Sequence, residues 1–416
     1  MPTRRFSAAP VLFGQRSVIS AAFAACPGVR PVITMPAGKA EGRMRWHWGV
    51  LAIAVLGVGA AQARPASREV AFVSNAEGAT VSLVDVGARR VLGEIDVNPA
   101  KARQTQATPN FAQDSDVSQD GRTLYVSRGY MGDVAAFDIA SGKLIWRTAV
   151  DPARADHMTL SRDGRSLVVS AYTRNLALRL DAATGAITGQ VATGVSPHDN
   201  QVTKDGRWLF NSSIGSVGVP VQTQAAAGSS GASAYQLTIA DAQTLKVKDR
   251  IAFDKGIRPW RFTPHEKGLY AQLSNEHAVI AYDLGARKAI RRLDLPIAPG
   301  VTPADWVFDA PHHGLALSAD GKVLCLAGRA SDYAAIVRAP ELTLVATVPV
   351  GDAPGWAELA DSDRVCLIAN TRSDDLSFVS IAERKEVTRL HVGDGPKHIT
   401  VARVPASVLA AYGKAR

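Results

Sequence analysis

The stretch SQDGRTLYVS at residues 118–127 decides the fold, because it returns along the chain at nearly regular intervals. Each copy has an alternating apolar and polar run, an Asp-Gly turn and a second alternating run. Asp-Gly between two such runs is a strong β-hairpin signal, since both residues tolerate the positive φ of a tight turn. Three close copies and two degenerate ones follow: SRDGRSLVVS (161–170), TKDGRWLFNS (203–212), SADGKVLCLA (318–327), TPHEKGLYAQ (263–272) and ADSDRVCLIA (360–369).

A second hairpin signal follows each copy, as in VAAFDIASGKLIWRTAV (134–150), so the repeating unit has four short antiparallel strands. The residue seven before each turn Asp gives the register of the repeat. Its steps are 43, 42, 62, 53, 42 and 42 residues. A period near 42 with four strands is typical of a β-propeller blade, and the two long steps indicate insertions. The register positions are Gln113, Asp156, His198, Trp260, His313, Gly355 and Lys397.

The repeats predict an all-β chain folded as a seven-bladed β-propeller of four-stranded antiparallel blades. Residues 69–97 supply only three strands of blade one. PKHITVARV (396–404) at the C-terminus supplies the fourth. This strand would close the ring and leave no open sheet edge. We therefore expect C-terminal truncation to cost far more than one strand.

The N-terminal region is typical of an export signal. Arg43 and Arg45 precede an apolar run from Gly49 to Ala60, and a small-residue cleavage pattern ends at Ala63. This is the pattern of a secretory signal peptide, and the apolar run is short for a membrane span. We predict an upstream non-native extension at 1–43, a signal peptide at 44–63 and a single propeller domain at 64–416. The mature protein would be periplasmic or extracellular, without stable membrane insertion; an uncleaved anchor helix is the alternative.

Composition excludes several classes of protein. The chain is 46% hydrophobic and holds only three Cys, which rules out a disordered chain and a disulfide-rich scaffold. Its net charge of +9 is concentrated in residues 1–63, and the remaining 40 basic and 37 acidic residues nearly balance. A nucleic-acid partner is therefore not predicted, because such proteins carry a basic stripe. No zincin, serine-hydrolase, P-loop or dinucleotide-binding motif is present in the sequence.

The pattern SxDGxxLYVS…VxxxDxxxGKxxxxxxVG resembles the YVTN-repeat β-propellers of the YncE-like type, over about residues 68–405. Blade two, 118–150, matches best, whereas blade six has RAPELTLVATV in place of the second turn motif. The resemblance implies the fold and says little about function. Related propellers include cytochrome d1-type nitrite reductases, which bind haem with His in the central cavity, and seven-bladed lactonases. The chain lacks CxxCH, so covalent c-type haem is not expected.

Long loops predict which face of the propeller binds a ligand. Segments 98–113, 214–233 and 296–311 all join strands on the face opposite the Asp-Gly turns. Loops on a rigid scaffold carry function more often than the scaffold does. The Ala/Gly/Ser run at 225–234 is equally typical of a plain flexible loop.

Histidines are the first candidate site residues. His157, His198, His313 and His398 lie where the chain enters the innermost strand of a blade, near the axial channel. Clustered neutral imidazoles can ligate a metal or haem. Hydrogen bonding to the turns between blades is the structural alternative. His198 and His313 share one register position, while His157 and His398 occupy the next. Since successive strand residues face opposite sides, the sequence alone does not establish that all four point inward.

Arginines are the second candidate group. Guanidinium groups on one face, with aromatic neighbours, are typical of a site for a carboxylate, phosphate or sugar acid. A solvated surface whose charges are neutralised by nearby acids is the alternative. The candidates on this face are Arg128, Arg174, Arg258, Arg329 and Arg372, with Trp260 as an aromatic contact.

These observations favour a binding or interaction module over an enzyme. The expected partner is a small anionic ligand, an envelope component or a protein, and the expected state is a monomer. The alternative is an enzyme or redox protein, such as a lactonase with the pairs His157–Asp156 and His198–Asp199, or a haem- or quinone-associated protein. No cofactor is predicted, with haem or a divalent metal as the alternative. Cys325 and Cys366 are expected to be unpaired core residues.

Overall fold

A computed structural model describes residues 66–104, 106–216 and 234–412. Its strands form seven four-stranded sheets, each antiparallel and each made of strands consecutive in sequence except the first. The predicted seven-bladed propeller is confirmed. The predicted extension 1–43 and signal peptide 44–63 lie outside the described residues, as does most of the insertion in blade four.

The strands follow one another blade by blade, three in the first group and four in each group after it. A single strand, β28, ends the series. Their bounds are β1 Ser67–Asn75, β2 Thr80–Asp85, β3 Arg90–Asp96; β4 Asp114–Val117, β5 Thr123–Ser127, β6 Asp133–Asp138, β7 Leu144–Ala149; β8 Ala155–Leu160, β9 Ser166–Ala171, β10 Leu176–Asp181, β11 Ile187–Ala192; β12 Pro197–Val202, β13 Trp208–Ser213, β14 Gln236–Asp241, β15 Val247–Ala252; β16 Ile257–Phe262, β17 Gly268–Leu273, β18 Ala278–Asp283, β19 Lys288–Asp294; β20 Leu315–Leu317, β21 Val323–Gly328, β22 Tyr333–Arg338, β23 Thr343–Pro349; β24 Pro354–Ala360, β25 Val365–Asn370, β26 Asp375–Ser380, β27 Lys385–His391; and β28 Pro396–Pro405.

The C-terminal strand closes the ring. β28 is the innermost strand of blade one and pairs antiparallel with β1, from Ser67 opposite Pro405 to Ser74 opposite His398. A short helix, α1 (Ala406–Leu409), follows it and buries Val408. The closure predicted from the repeat count is therefore confirmed.

Apolar layers between neighbouring blades hold the ring together. Within the described residues there are seven buried clusters, and each joins two adjacent blades. Phe72 of blade one and Phe137 of blade two, for example, are fully buried in the same cluster. Both faces of a blade are covered, so its inner strands are apolar on both sides, unlike a sheet with one solvated face. Each blade thus depends on its neighbours for burial of its surface.

A disulfide bond joins Cys325 of β21 to Cys366 of β25. The expectation of two unpaired thiols is wrong. It rested on the divergence of neighbouring blades, but both cysteines lie on second strands, close enough to the axis for their Cα atoms to be 6.4 Å apart. That separation lies within the range that a disulfide bridges.

Removing this disulfide should destabilise the propeller. The bond closes a loop with a sequence separation of 41 residues, and constraint of such a loop in the unfolded chain stabilises by about 2–4 kcal/mol. We expect the Cys325→Ala/Cys366→Ala double variant to unfold at lower urea concentration, by that free energy. The matched control is the parent chain in dithiothreitol, which should unfold at about the same urea concentration as the double variant. Equal midpoints for all three would contradict a bond that contributes to stability.

Short 3₁₀ turns occur in the loops of the described residues, at Gly129–Met131, Tyr172–Arg174, Pro303–Asp305 and Val307–Asp309. Among the residues that the structure describes, none of the helices has the length and apolar character needed to cross a membrane.

Candidate functional site

The innermost strands begin on one face of the propeller, which we call the upper face, and their first residues converge on the ring axis. Loops between and within blades meet on this face, as where the amide of Tyr130 donates to the carbonyl of Asn110. The converging residues and three loop residues, Ile214, Phe308 and Arg329, enclose a small cavity, the cationic cup. It is lined by Gln113, Arg154, His198, Ile214, Arg258, Phe308, His313, Arg329, Gly355 and Lys397.

Two of the four cations of the cup are held by defined partners. Arg154 Nη2 lies 3.2 Å from a carboxylate oxygen of Asp156, and its guanidinium lies 4.5 Å from the ring centre of Tyr172. Arg258 Nε donates to Ser274 Oγ at 2.8 Å. Both guanidinium groups are therefore fixed in orientation before any ligand arrives, which reduces the entropic cost of binding.

The other two cations, Arg329 and Lys397, have no carboxylate within ion-pairing distance among the described residues. The Nε atom of Arg329 is buried and has no hydrogen-bond partner there. Burial, and then repulsion by Arg258, lowers the pKa of Arg329 to about 10. Burial, and then repulsion by Arg154 and Arg329, lowers the pKa of Lys397 to about 7. The fold therefore holds the positively charged side chains of the cup close together although they repel one another.

The lining of the cup contains no acidic side chain among the described residues. Asp156 pairs with Arg154 at the edge and leaves Arg258, Arg329 and Lys397 without a matching carboxylate. Buried charges that lack a counter-charge are costly and bind anions strongly when an anion supplies it. The cup therefore has the positive charge and the hydrogen-bond donors that an anion would need.

The four predicted histidines meet at the floor of the cup. The ring centre of His157 lies 4.5 Å from that of His198, 6.1 Å from that of His313 and 5.7 Å from that of His398. The indole of Trp356 stacks on His157, with ring centres 5.2 Å apart. All four histidines therefore converge, a point that the sequence left open.

Irregular strand pairing explains the convergence. The register of β8 against β9 shifts between Ala155 and Met158, and that of β12 against β13 shifts between Pro197 and Asn200. A bulge inserts an extra residue and breaks the alternation of side chains between the two faces of a strand. His157 and His198 can then point to the same axis from different register positions.

Hydrogen bonds fix the rings of the cluster. His157 Nδ1 lies 2.8 Å from Asp114 Oδ2, and His313 Nδ1 donates to the carbonyl of Gly355 at 3.0 Å. The Nε2 atoms of His198 and His313 are 3.4 Å apart. Burial, and then the charges of the neighbouring cations, holds the pKa of His198 and His313 well below the usual value.

His157 behaves differently from those two. Burial lowers its pKa, but the hydrogen bond and charge of Asp114 outweigh burial, and the net pKa is raised. The predicted pair with Asp156 is looser, since His157 Nε2 lies 3.9 Å from Asp156 Oδ1. The carboxylate of Asp199 faces Arg261 rather than pairing with the neighbouring histidine, at 3.7 Å from Nη1.

Three predicted arginines do not line the cup. Arg128 is buried and forms a bidentate ion pair with Asp133, with both contacts at 2.6 Å. Arg174 donates to the carbonyl of Val150 at 3.0 Å. Arg372 is exposed and lies 3.4 Å from Asp352. These side chains hold loops of the upper face, so they are corrections to the predicted site.

Trp260 is also misplaced by the sequence prediction. It is fully buried between blades four and five, where its ring packs edge-on against Phe262 and near Phe210. Aligning TPHEKGLYAQ (263–272) with TKDGRWLFNS (203–212) pairs Arg258, not Trp260, with His198. The strand pairing agrees, because the register of β16 shifts between Ile257 and Trp260 just as that of β12 shifts between Pro197 and Asn200.

Sequence reasoning missed Gln113, Arg154 and Lys397 as site residues. A signal for Gln113 and Lys397 was present in the repeat register, because both share the register position of His198 and His313. Equivalent positions in a ring of blades lie at one height around the axis. Arg154 comes two residues before the register position of its blade, directly before β8 begins at Ala155.

A second cavity lies along the axis on the far side of the histidines. It has a volume of about 430 Å³ and is bordered by His398, Trp356 and several acidic side chains. Burial raises the pKa of Asp116 to about 6 and also raises that of Glu358. The axis thus has a cationic end and an acidic end, with the histidine cluster between them.

The model of the lactonase family with a seven-bladed β-propeller matches residues 116–401. The chain belongs to this family. That membership agrees with the seven blades and leaves the finer YVTN-type resemblance a prediction. No curated protein matches the chain.

Solved structures share the fold of this lactonase-family chain. Hydrazine synthase of Kuenenia stuttgartiensis is 19% identical, with a TM-score of 0.59 over 74% of this chain and 91% of that one. A candidate 6-phosphogluconolactonase of Bacteroides fragilis is 15% identical, with a TM-score of 0.58 over 80% of this chain and 98% of that one. At such identities the likeness concerns the fold alone.

Proposed function

We propose that this protein hydrolyses the lactone ring of a small anionic substrate in the cationic cup. The observation that carries the proposal is the convergence of Arg154, Arg258, Arg329 and Lys397 in a cavity without an acidic lining residue among those described. Membership of the lactonase family supports the reaction class. The substrate class follows from the charge: a lactone that carries a carboxylate or a phosphate.

The arginines would bind both the carboxylate or phosphate of the substrate and the ester group that reacts. Guanidinium groups pair with carboxylate and phosphate through two parallel hydrogen bonds. Water attacks the ester carbonyl, and negative charge develops on the carbonyl oxygen. Arg329, whose Nε has no partner among the described residues, is available to donate to that oxygen. Such fixed donors in a water-poor site are usually the largest contribution to acyl-transfer catalysis.

Lys397 is the proposed general base. A pKa of about 7 leaves its amine largely neutral above neutral pH, which suits proton transfer at that pH. The amine takes a proton from the attacking water. The bond between the carbonyl carbon and the ring oxygen breaks, and the leaving oxygen receives that proton. The product is a hydroxy acid whose new carboxylate stays paired with an arginine.

A second candidate is a binding module for a small anion without catalysis. The cup has a free volume of about 20 Å³, which holds little more than a water molecule. The side chains of Ile214 and Phe308 close it, and Arg258 donates to the carbonyl of Phe308. A lactone ring enters only if the loop around Phe308 moves, whereas a very small anion needs less movement.

An assay of lactone hydrolysis distinguishes the two candidate functions, an enzyme and a binding module. Proton release by the purified protein is followed in a pH-stat with lactones carrying a carboxylate, a phosphate or no charge. We expect turnover of anionic lactones, its loss in Lys397→Arg with anion binding retained, and full activity in the control Lys322→Met. Anion binding without hydrolysis of any lactone would favour the binding module. Absence of both would refute the anion site.

Anion affinity should fall as pH rises through 7. The amine of Lys397 faces Arg154, Arg329, Asp156 and Glu77, and its pKa of about 7 in the free protein rises when sulfate fills the cup beside it. Binding therefore takes up a proton above pH 7, and affinity weakens there by up to about tenfold per pH unit. A lactone whose charged group is held by the arginines, away from Lys397, would leave that amine neutral for catalysis.

Calorimetry with sulfate from pH 6 to 9 measures this dependence, because sulfate keeps its charge over that range. Lys397→Met should bind more weakly at pH 6 and show no such slope. The same slope in Lys397→Met would assign the titration to another group.

We also propose that the protein works in the periplasm or outside the cell, as a monomer and without nucleic acid. The signal-like segment 44–63 supports export, and the bond between Cys325 and Cys366 is of the kind that persists in oxidising compartments.

A further inference from the structure

We propose that His157, His198 and His313 bind one divalent transition-metal ion of the zinc type, with an open coordination position that faces the cationic cup. The inference goes beyond lactone hydrolysis, since it concerns the histidines rather than the cations. The inference rests on the distances between the histidine ring nitrogens at the floor of the cup.

The spacing of the ring nitrogens matches such an ion. One ring nitrogen of each histidine lies within 4.8 Å of those of the other two, and all three residues are buried. The Nε2 atoms of His198 and His313 are 3.4 Å apart. Two nitrogens bound to zinc at tetrahedral angles are separated by about 3.3 Å, given bond lengths of about 2.0–2.1 Å. Little movement is needed to place an ion between them.

The second nitrogens of His157 and His313 are held as in metal-bound histidines, whereas Nδ1 of His198 is buried without a partner among the described residues. A ligating imidazole typically donates its second N–H to a carboxylate or a backbone carbonyl, which fixes the ring and the tautomer. His157 Nδ1 contacts Asp114 Oδ2 at 2.8 Å, and His313 Nδ1 contacts the carbonyl of Gly355 at 3.0 Å. Both rings therefore present Nε2, without its proton, to the centre of the cluster.

Two carboxylates beside His157 offset part of the charge that a metal ion would add to the cluster. Asp114 is bound to His157, and Asp156 Oδ1 lies 3.9 Å from His157 Nε2. Three imidazoles without a thiolate favour zinc, copper, nickel or cobalt, whereas calcium and magnesium prefer oxygen ligands. His198 and His313 also line the cup, so the fourth position is open to water or to an anion held by the arginines.

Metal binding is tested with the ion alone. The protein, purified without a polyhistidine tag, is stripped with chelator and titrated with Zn²⁺ by calorimetry and with Co²⁺ by visible absorption. We expect one ion per chain and the d–d bands of a low-coordinate cobalt site. His198→Ala and His313→Ala should each weaken binding by at least about tenfold, and Asp114→Asn by about 10–100-fold. His265→Ala and His391→Ala, at exposed positions, should bind like the parent.

An unfolding curve is measured for each variant, so that weaker metal binding is interpreted only for variants that fold. If both alanine variants unfold, His313→Gln serves in their place. Sub-stoichiometric binding, or equal binding by the cup and surface variants, would overturn the metal site. Because no substrate is used, that result would leave lactone hydrolysis standing. A metal-loaded protein that hydrolyses no lactone would refute the proposed function and retain the site.

Discussion

Replacing Arg329 with Gln should weaken sulfate binding by about 10–100-fold, because a charge-assisted hydrogen bond contributes about 1.5–3 kcal/mol. Arg329 lies in the cup with no carboxylate partner among the described residues, and its buried Nε lacks an acceptor there. The anion supplies that acceptor. Calorimetry at pH 6, where Lys397 is charged, measures the loss.

The same change should stabilise the unliganded protein. Gln removes a buried cation that is repelled by Arg258, and we expect the Tm to rise by about 1–3 °C. The control is Arg372→Gln, which removes an exposed guanidinium beside Asp352 and should alter neither quantity. Weaker binding together with a lower Tm would instead indicate that Arg329 supports the structure.

Ending the chain at Gly395 should abolish the cooperative fold. The truncation removes β28, which pairs with β1 over its whole length and forms the innermost strand of blade one. It also opens the apolar layers on both sides of that blade, where Val404 and Ile399 are buried. Since neighbouring blades bury each other's surfaces, the loss spreads around the ring. Thermal unfolding followed by circular dichroism should show no sharp transition.

Removal of residues 413–416 alone is the matched control, because it keeps β28, α1 and the buried ring of Tyr412. That chain should unfold like the parent. A cooperative transition in the chain ending at Gly395 would mean that six blades and a partial seventh suffice for stability.

The repeats predict the fold because each blade of a propeller is encoded by one copy of a short sequence repeat. An Asp-Gly turn such as Asp120–Gly121 identifies the first hairpin of a blade, and the nearly regular spacing of the repeats gives the number of blades. The site depends on which side chains reach the axis, and that is set by local bulges. In blade five the repeat TPHEKGLYAQ (263–272) lacks the Asp-Gly turn, so its register was misjudged by two residues. The structure places Arg258 at the cup and buries the indole of Trp260.

The sequence also does not show which side chains form ion pairs or disulfide bonds with one another. Arg128 and Arg329 occupy equivalent loops, yet only Arg128 has an acid, Asp133, at the start of the next strand to pair with. The cysteines show the same limit, since alternate strand positions predict burial but not that Cys325 and Cys366 face each other across two blades.

The position of β28 also sets the order in which the protein becomes functional. Chains are made from the N-terminus, and domains begin to fold as they emerge. Lys397 and His398 belong to β28, so the cup and the histidine cluster are incomplete until that strand has been made. A chain that lacks β28 has neither the full set of cup cations nor a closed ring. Any assay that detects an intact cup therefore also reports that β28 has joined β1.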